Sequence, residues 1–307
     1  MTTAFVFPGQ GSQTVGMGRA LSDNFAVARD VFAEVDDALS QNLSTLIFEG
    51  PADDLTLTTN TQPALMAVSI AAARVLEAEK GLNVSSLSCV AGHSLGEYAA
   101  LCLANSISLS DTAKLLRIRG DAMQDAVPVG KGAMAALIGA NVESAQAVLD
   151  ATDGGIGEIA NDNAPGQIVI SGSKERIEAA CAVAKEHGIK MAKLLPVSAP
   201  FHCSMMQPAA DRMEEALSAM RVSAPTVPVI ANVTAAKVTD PDEIKKLLVE
   251  QVTGQVRWTQ SVQAMIGDGV DRFIEIGAGK VLSGLIRRID KQANVSNMAS
   301  PEDLAAF

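Results

Sequence analysis

Gly92-His93-Ser94-Leu95-Gly96 is the stretch that decides how this chain folds. It fits G-x-S-x-G, follows a strand-like run from Leu87 to Ala91 and precedes a helix-like run from Glu97 to Ala104. A sharp strand-to-helix turn lifts a serine hydroxyl clear of the backbone. The flanking glycines permit the bend, and the helix N-terminus offers unpaired N–H groups to a developing oxyanion. Glu97 falls in the first helical turn, where the helix dipole favours a carboxylate. A glycine-rich turn carrying an ordinary serine would also satisfy the five residues, but the strand before and the helix after favour a nucleophile.

Outward from this turn, strand-like apolar runs alternate with longer amphipathic helical runs, which predicts an α/β fold with a largely parallel sheet. Between about Val127 and Ser198 the rhythm shortens. A strand (Ala133 to Ile138), a helix (Val142 to Ala151), strands at Gly157 to Ala160 and Gln167 to Ser171, a helix (Lys174 to His187) and a strand (Ile189 to Leu195) follow in order. That is the β-α-β-β-α-β succession of a ferredoxin-like unit. The expected organisation is a large subdomain (1–126 and 199–307) with a small one (127–198) inserted, and a cleft between two such bodies is a usual small-molecule site.

The chain has 307 residues, 48% of them hydrophobic, enough for a sizeable core. A net charge of −11 argues against general affinity for nucleic acid or an anionic membrane, both of which need a basic face. The N-terminal apolar run, Ala4 to Phe7, breaks at Pro8 and lacks the pattern of a secretion signal. The longest apolar stretch, Ala64 to Leu76, is too short to span a bilayer. A cytoplasmic protein is expected. Cys89, Cys102, Cys181 and Cys203 show no C-x-x-C pairing and fit reduced thiols, with no metal site. Pro8-Gly9-Gln10-Gly11-Ser12-Gln13 lacks the third glycine of a dinucleotide loop, and Gly277-Ala278-Gly279-Lys280 lacks the P-loop ending, so NTP binding is rejected.

A serine nucleophile needs a base, and histidine is the usual one. The chain holds three. His93 adjoins Ser94 on a tight elbow and should point away from the hydroxyl. His187 precedes Gly188 at a helix end, where a cation and a glycine cap the last carbonyls. His202, in Ser198-Ala199-Pro200-Phe201-His202-Cys203, is left as the candidate base, with a core or capping role as its alternative. Cys203 ranks below Ser94 as a nucleophile because nothing around it builds an oxyanion hole. On the helix from Asp111 to Asp125, Lys114, Arg117, Asp121 and Gln124 mark a solvated face with an Arg117–Asp121 pair at i,i+4. Arg119 shares its face with Leu115, Leu116, Ala122 and Met123 and so points inward, toward either a structural carboxylate or a carboxylate on the substrate.

With these motifs in place, and the arginine 25 positions after the serine (119 − 94), the chain resembles the malonyl-CoA:acyl carrier protein transacylases of fatty acid synthesis, essentially end to end. Gln62-Pro63-Ala64-Leu65, Asn161 to Gly172, Val256-Arg257-Trp258 and Glu275 to Leu282 add to the likeness. The resemblance implies an α/β-hydrolase-like core and a ping-pong transfer of malonyl from malonyl-CoA to the phosphopantetheine thiol of acyl carrier protein. Ser94 would be the acyl acceptor, His202 its base, the N–H groups of Gln10 and Leu95 the oxyanion hole, and Arg119 the holder of the malonyl carboxylate. Gln251 and Gln62 would support them, Gln251 by a main-chain carbonyl that orients the histidine. Coenzyme A thioesters and acyl carrier protein are the implied partners of a monomer without bound cofactor. Gln255 and Ala278 stand where proline is frequent, a change that bears on loop geometry. A serine esterase or thioesterase of similar fold, or a non-catalytic carrier-binding module, are the rival readings. Lys185, Lys190, Lys193, Arg287 and Arg288 are candidates for contacting an acidic carrier protein.

Overall fold

The computed structural model describes residues 2–197 and 199–307, so Ser198 lies outside the described residues. In chain order the strands are β1 (Thr3–Phe7), β2 (Cys89–Gly92), β3 (Gly132–Ile138), β4 (Gly157–Ala164), β5 (Gln167–Ser173), β6 (Met191–Leu194), β7 (Val229–Ile230), β8 (Lys237–Val238), β9 (Arg272–Ile276) and β10 (Asn294–Met298). Among the described residues they form two sheets.

The larger sheet runs β10-β9-β1-β2-β7-β8, parallel throughout except for the antiparallel β8 at one edge. Its central strands read as unbroken apolar runs because helices cover both faces. The pleat divides them. Phe5, Phe7 and Val90 pack on one side against the long helix Thr58–Lys80, while Ala4, Val6, Cys89 and Ala91 pack on the other with Trp258, Phe273 and Leu282. Phe7 is in register with Gly92, so the Pro8–Gln13 loop and the serine turn leave neighbouring central strands at the same sheet end. That end, outside the carboxyl termini of parallel strands, is where open α/β sheets bind ligands.

The smaller sheet has the order β4-β5-β3-β6 with every pairing antiparallel, and carries the helices Val142–Asp150 and Lys174–Val183 on a core of its own. This is the expected ferredoxin-like unit. Several boundaries differ from the sequence expectation. β4 does not stop at Ala160 but continues through the polar Asn161-Asp162-Asn163 to Ala164, bulging twice on the way. The main chain of Val256, in the large body, pairs there: Val256 N–H donates to Ala160 O (2.8 Å) and Asp162 N–H to Val256 O (3.0 Å). The helix begun at Lys174 gives way at Val183 to a tighter turn, Ala184–His187, which Gly188 closes at φ 77°.

The Arg117 face also needs correction. Asp121 acts on the Arg117 charge only from beyond ion-pair distance; Arg117 donates to Gln41 Oε1 and Thr59 Oγ1, and Thr59 Oγ1 in turn donates to Asp121. Helical period named the face but not the chain that packs across it, the loop at Gln41 and the start of helix Thr58–Lys80. No helix among the described residues is long and apolar enough to cross a membrane. All four cysteines are free.

Candidate active site

The serine turn is a close-packed crossing of backbones. A Cβ built on Gly92 would lie 1.9 Å from the Gly96 carbonyl, and one on Gly96 would lie 2.3 Å from Phe7 O. Only glycine fits at either position. Ser94 sits at φ 52°, a left-handed conformation that costs a non-glycine residue on the order of 1–3 kcal/mol and persists only where surroundings over-determine it. Here the Ser94 N–H donates to Asn232 Oδ1 (2.7 Å), and Asn232 Nδ2 donates back to Gly92 O (2.7 Å).

Ser94 Oγ lies 2.8 Å from His202 Nε2, and His202 Nδ1 lies 2.9 Å from the Gln251 carbonyl oxygen. A carbonyl accepts only, so Nδ1 carries the proton and Nε2 is left as the acceptor facing the hydroxyl. His202 is 4% exposed, and burial first, then the nearby Arg119, push its pKa down to about 3. The imidazole is therefore neutral at ordinary pH and free to take a proton. Cys203, beside it, points elsewhere and donates to Pro200 O (3.1 Å); burial pushes its pKa up to about 11, which leaves little thiolate. His93 turns away from Ser94 toward Asn163 Oδ1 (2.8 Å) and lines the cleft.

Arg119 is 1% exposed. Its Nη1 donates to Gln62 Oε1 (2.7 Å), and its Nη2 to Gln251 Oε1 (2.9 Å) and Ser94 Oγ (3.1 Å). No carboxylate among the described residues lies within ion-pair distance of it. Gln62 Nε2 donates to Thr58 Oγ1 (3.0 Å), and Thr58 Oγ1 donates to Gln10 Oε1 (3.0 Å), which ties the Pro8–Gln13 loop to the arginine. The main-chain N–H groups of Gln10 and Leu95 have no acceptor among the described residues. Both residues line a cleft of about 330 Å³ whose wall also includes Ser94, Arg119 and His202. Asn161 and Asn163 of β4 and Leu195 to Val197 close the cleft from the small-sheet side.

Sequence reasoning did not find Asn232, nor the part played by Glu97. Glu97 does occupy a first helical turn, but it is 2% exposed and accepts from Asn232 N–H (3.0 Å) and Gln251 Nε2 (2.8 Å). Burial lifts its pKa to about 7, against the lowering by these two donors and Arg119. Glu97, one residue past the motif, carried a signal; Asn232 stands in a short irregular segment without one.

Residues 4–302 match the family model described as an acyl transferase domain. The malonyl CoA-acyl carrier protein transacylase of Bacillus subtilis (strain 168) is 46% identical over 303 residues, which cover 98% of this chain and 94% of that protein. The crystal structure of the acyl-carrier-protein-S-malonyltransferase from Bartonella henselae superposes with a TM-score of 0.97 at 55% identity, covering 100% of this chain and 98% of that one. A malonyl-transacylase solved in complex with its type II PKS acyl-carrier protein has a TM-score of 0.96 at 40% identity, with 100% and 98% covered. With a family model spanning nearly the whole chain and near full-length relatives at this identity, the chain belongs to the acyl transferase family, among its malonyl CoA-acyl carrier protein transacylases.

Proposed function

We propose that this enzyme transfers the malonyl group from malonyl-CoA to the phosphopantetheine thiol of acyl carrier protein, supplying extender units for fatty acid synthesis. Ser94 attacks the thioester carbonyl while His202 takes its proton at Nε2. The oxyanion is received by the N–H groups of Gln10 and Leu95, and the coenzyme A thiol leaves to give a malonyl-serine ester. The carrier thiol then attacks that ester, with His202 again as base. A main-chain carbonyl on Nδ1 fixes the tautomer without adding negative charge to the site.

The observation that carries the reading is Arg119: a buried guanidinium with only neutral partners, one of them the nucleophile's oxygen. A buried cation with no carboxylate at ion-pair distance is costly, since Glu97 acts on it only from farther off, and a malonyl carboxylate is the bidentate anion it lacks. A hydrolase of neutral esters has no use for such a group. Exclusion of water then decides whether the ester waits for a thiol. The small-sheet unit, 127–198, is read as the subdomain that supplies the cleft's second wall. We read the enzyme as a cytoplasmic monomer that needs no metal or bound cofactor. Lys185, Lys190, Lys193, Arg287 and Arg288 are all exposed and offer the positive surface an acidic carrier requires.

Intact-mass measurement after mixing with malonyl-CoA tests this directly. One malonyl group should appear on the wild type, map to Ser94, and be absent from Ser94→Ala. A malonyl group found on Cys203, or none on the wild type, overturns the reading.

A further inference from the structure

The Gln251 side chain stands between the elbow and the arginine, and its orientation matters. Its Oε1 accepts from Arg119 Nη2 (2.9 Å), whereas an amide turned over would set its NH2 against the guanidinium, donor to donor. What selects the observed orientation lies on the far side. Gln251 Nε2 donates to Glu97 Oε2 (2.8 Å) and to the Ser94 carbonyl oxygen (3.0 Å). Glu97 Oε2, already accepting from the Asn232 N–H, and the Ser94 carbonyl both meet the amide as acceptors, so only its NH2 fits against them. Glu97 is itself anchored: the same Oε2 accepts from the Asn232 N–H, and the Asn232 side chain holds both Ser94 N–H and Gly92 O. A carboxylate buried here with two neutral donors is a poor packing choice, since an apolar residue would avoid its desolvation.

We infer that Glu97 is a positioning residue for substrate selection: by fixing the Gln251 amide it holds the Arg119 guanidinium where a substrate carboxylate is received. The inference rests on the malonyl-transfer reading given above. It differs from a structural role because it acts on one class of substrate. Acetyl-CoA has no carboxylate for Arg119 to receive and should sense the orientation of Gln251 less than malonyl-CoA does.

The experiment compares Glu97→Met, Gln251→Met and the double variant in kcat and KM for malonyl-CoA and acetyl-CoA, with thermal unfolding of each. Methionine at 97 removes the acceptor that meets the Gln251 NH2, which a glutamine would keep because the Asn232 N–H would hold its oxygen there. Methionine at 251 keeps the main-chain carbonyl on His202 and removes the amide. KM for malonyl-CoA should rise about tenfold in Glu97→Met, the scale of one hydrogen bond to a charged group, and the malonyl-to-acetyl ratio of kcat/KM should fall with it. Gln251→Met should lower that ratio at least as far, and the double variant should be no worse than Gln251→Met. A malonyl-to-acetyl ratio that stays at the wild-type value, losses that multiply in the double variant, or both substrates falling together with Tm would overturn the inference. If Glu97→Met does not fold, Gln251→Met decides alone by the same ratio. Wild type that takes no malonyl group from malonyl-CoA would instead sink the functional reading, before any variant is made.

Discussion

Two glutamates are buried at the same end of the large sheet, and they are treated differently. Glu275, on β9, is 0% exposed and receives donors from Leu282 N–H (3.1 Å), Ser283 N–H (2.8 Å), Ser283 Oγ (2.7 Å) and Asn297 Nδ2 (3.1 Å). The first two are orphan amides of the helix Val281–Ile289, whose N-terminus welcomes a negative charge. Glu97 has two neutral donors, and burial lifts its pKa to about 7. One carboxylate closes a helix end and serves the fold; the other is held at the edge of ionisation beside the nucleophile. The same contrast separates the two regions at large. Around Ser94 strain, an arginine with no carboxylate at ion-pair distance and a depressed imidazole coexist, whereas Glu275 answers two orphan amides of a helix.

If the contrast is real, elbow variants should change chemistry at constant stability, and Glu275 variants should do the reverse. The largest effect is expected from His202→Ala, which should slow acylation by roughly 100- to 10,000-fold, the usual contribution of a positioned base, with Tm unchanged. Rapid-quench measurement of coenzyme A release gives the rate, and near-normal acylation would remove His202 from the chemistry. Arg119→Ala comes next. It removes a charge-assisted contact worth on the order of 1.5–3 kcal/mol, so malonyl kcat/KM should fall roughly 10- to 150-fold while acetyl kcat/KM falls far less. Arg119→Lys keeps the charge without the planar fork and should recover part of the loss. Equal losses for the two substrates, or a large drop in Tm, would move Arg119 to the structural side of the comparison.

Glu275→Gln attacks the other region. Its new NH2 must face donors, which should cost on the order of 1–3 kcal/mol and lower Tm by several degrees. Malonyl transfer per folded molecule should be unchanged, and a loss of turnover at constant Tm would dissolve the distinction. The smallest effect is a pH dependence of stability. Because burial raises the folded pKa of Glu97 from 4.5 to about 7, the folded state binds the proton more tightly than the unfolded state does. Stability from this group is full at low pH and is lost as pH rises through that window. Denaturant unfolding should therefore show Glu97→Gln gaining on the wild type between pH 4.5 and about pH 7, with Arg119 and Tyr98, the charged and titratable neighbours packed on Glu97, present in both. A difference that is flat with pH would mean that Glu97 keeps one charge state throughout.

Much of this could be read before any coordinates. The α/β alternation, the ferredoxin-like insertion and the elbow all rest on local pattern, and the positions of Ser94, His202 and Arg119 follow from a motif, an elimination among three histidines and a helical face. What stayed hidden is non-local. The node of Glu97, Asn232 and Gln251 joins residues 135 and 154 positions apart, and no periodicity reports a hydrogen bond across such distances. The Arg117 face failed for a related reason: amphipathic period says which side is polar, not whether another segment lies on it. The strand expected to stop at Ala160 runs on because the polar Asn161-Asp162-Asn163 pairs with β5 on one side and meets Val256, from the large body, on the other, and no local pattern reports that second partner.

The crossing of Gly92 and Gly96 has a consequence for how this enzyme can evolve. Neither position admits even one added carbon, because what it would strike is main chain rather than a movable side chain. Drift and laboratory selection are therefore denied both sites whatever substrate is imposed. His93 and Leu95, which alternate with the glycines and line the cleft, are the elbow positions through which selection can still reshape the acyl group's surroundings. The nucleophile is thus framed by two letters that cannot change and two that can.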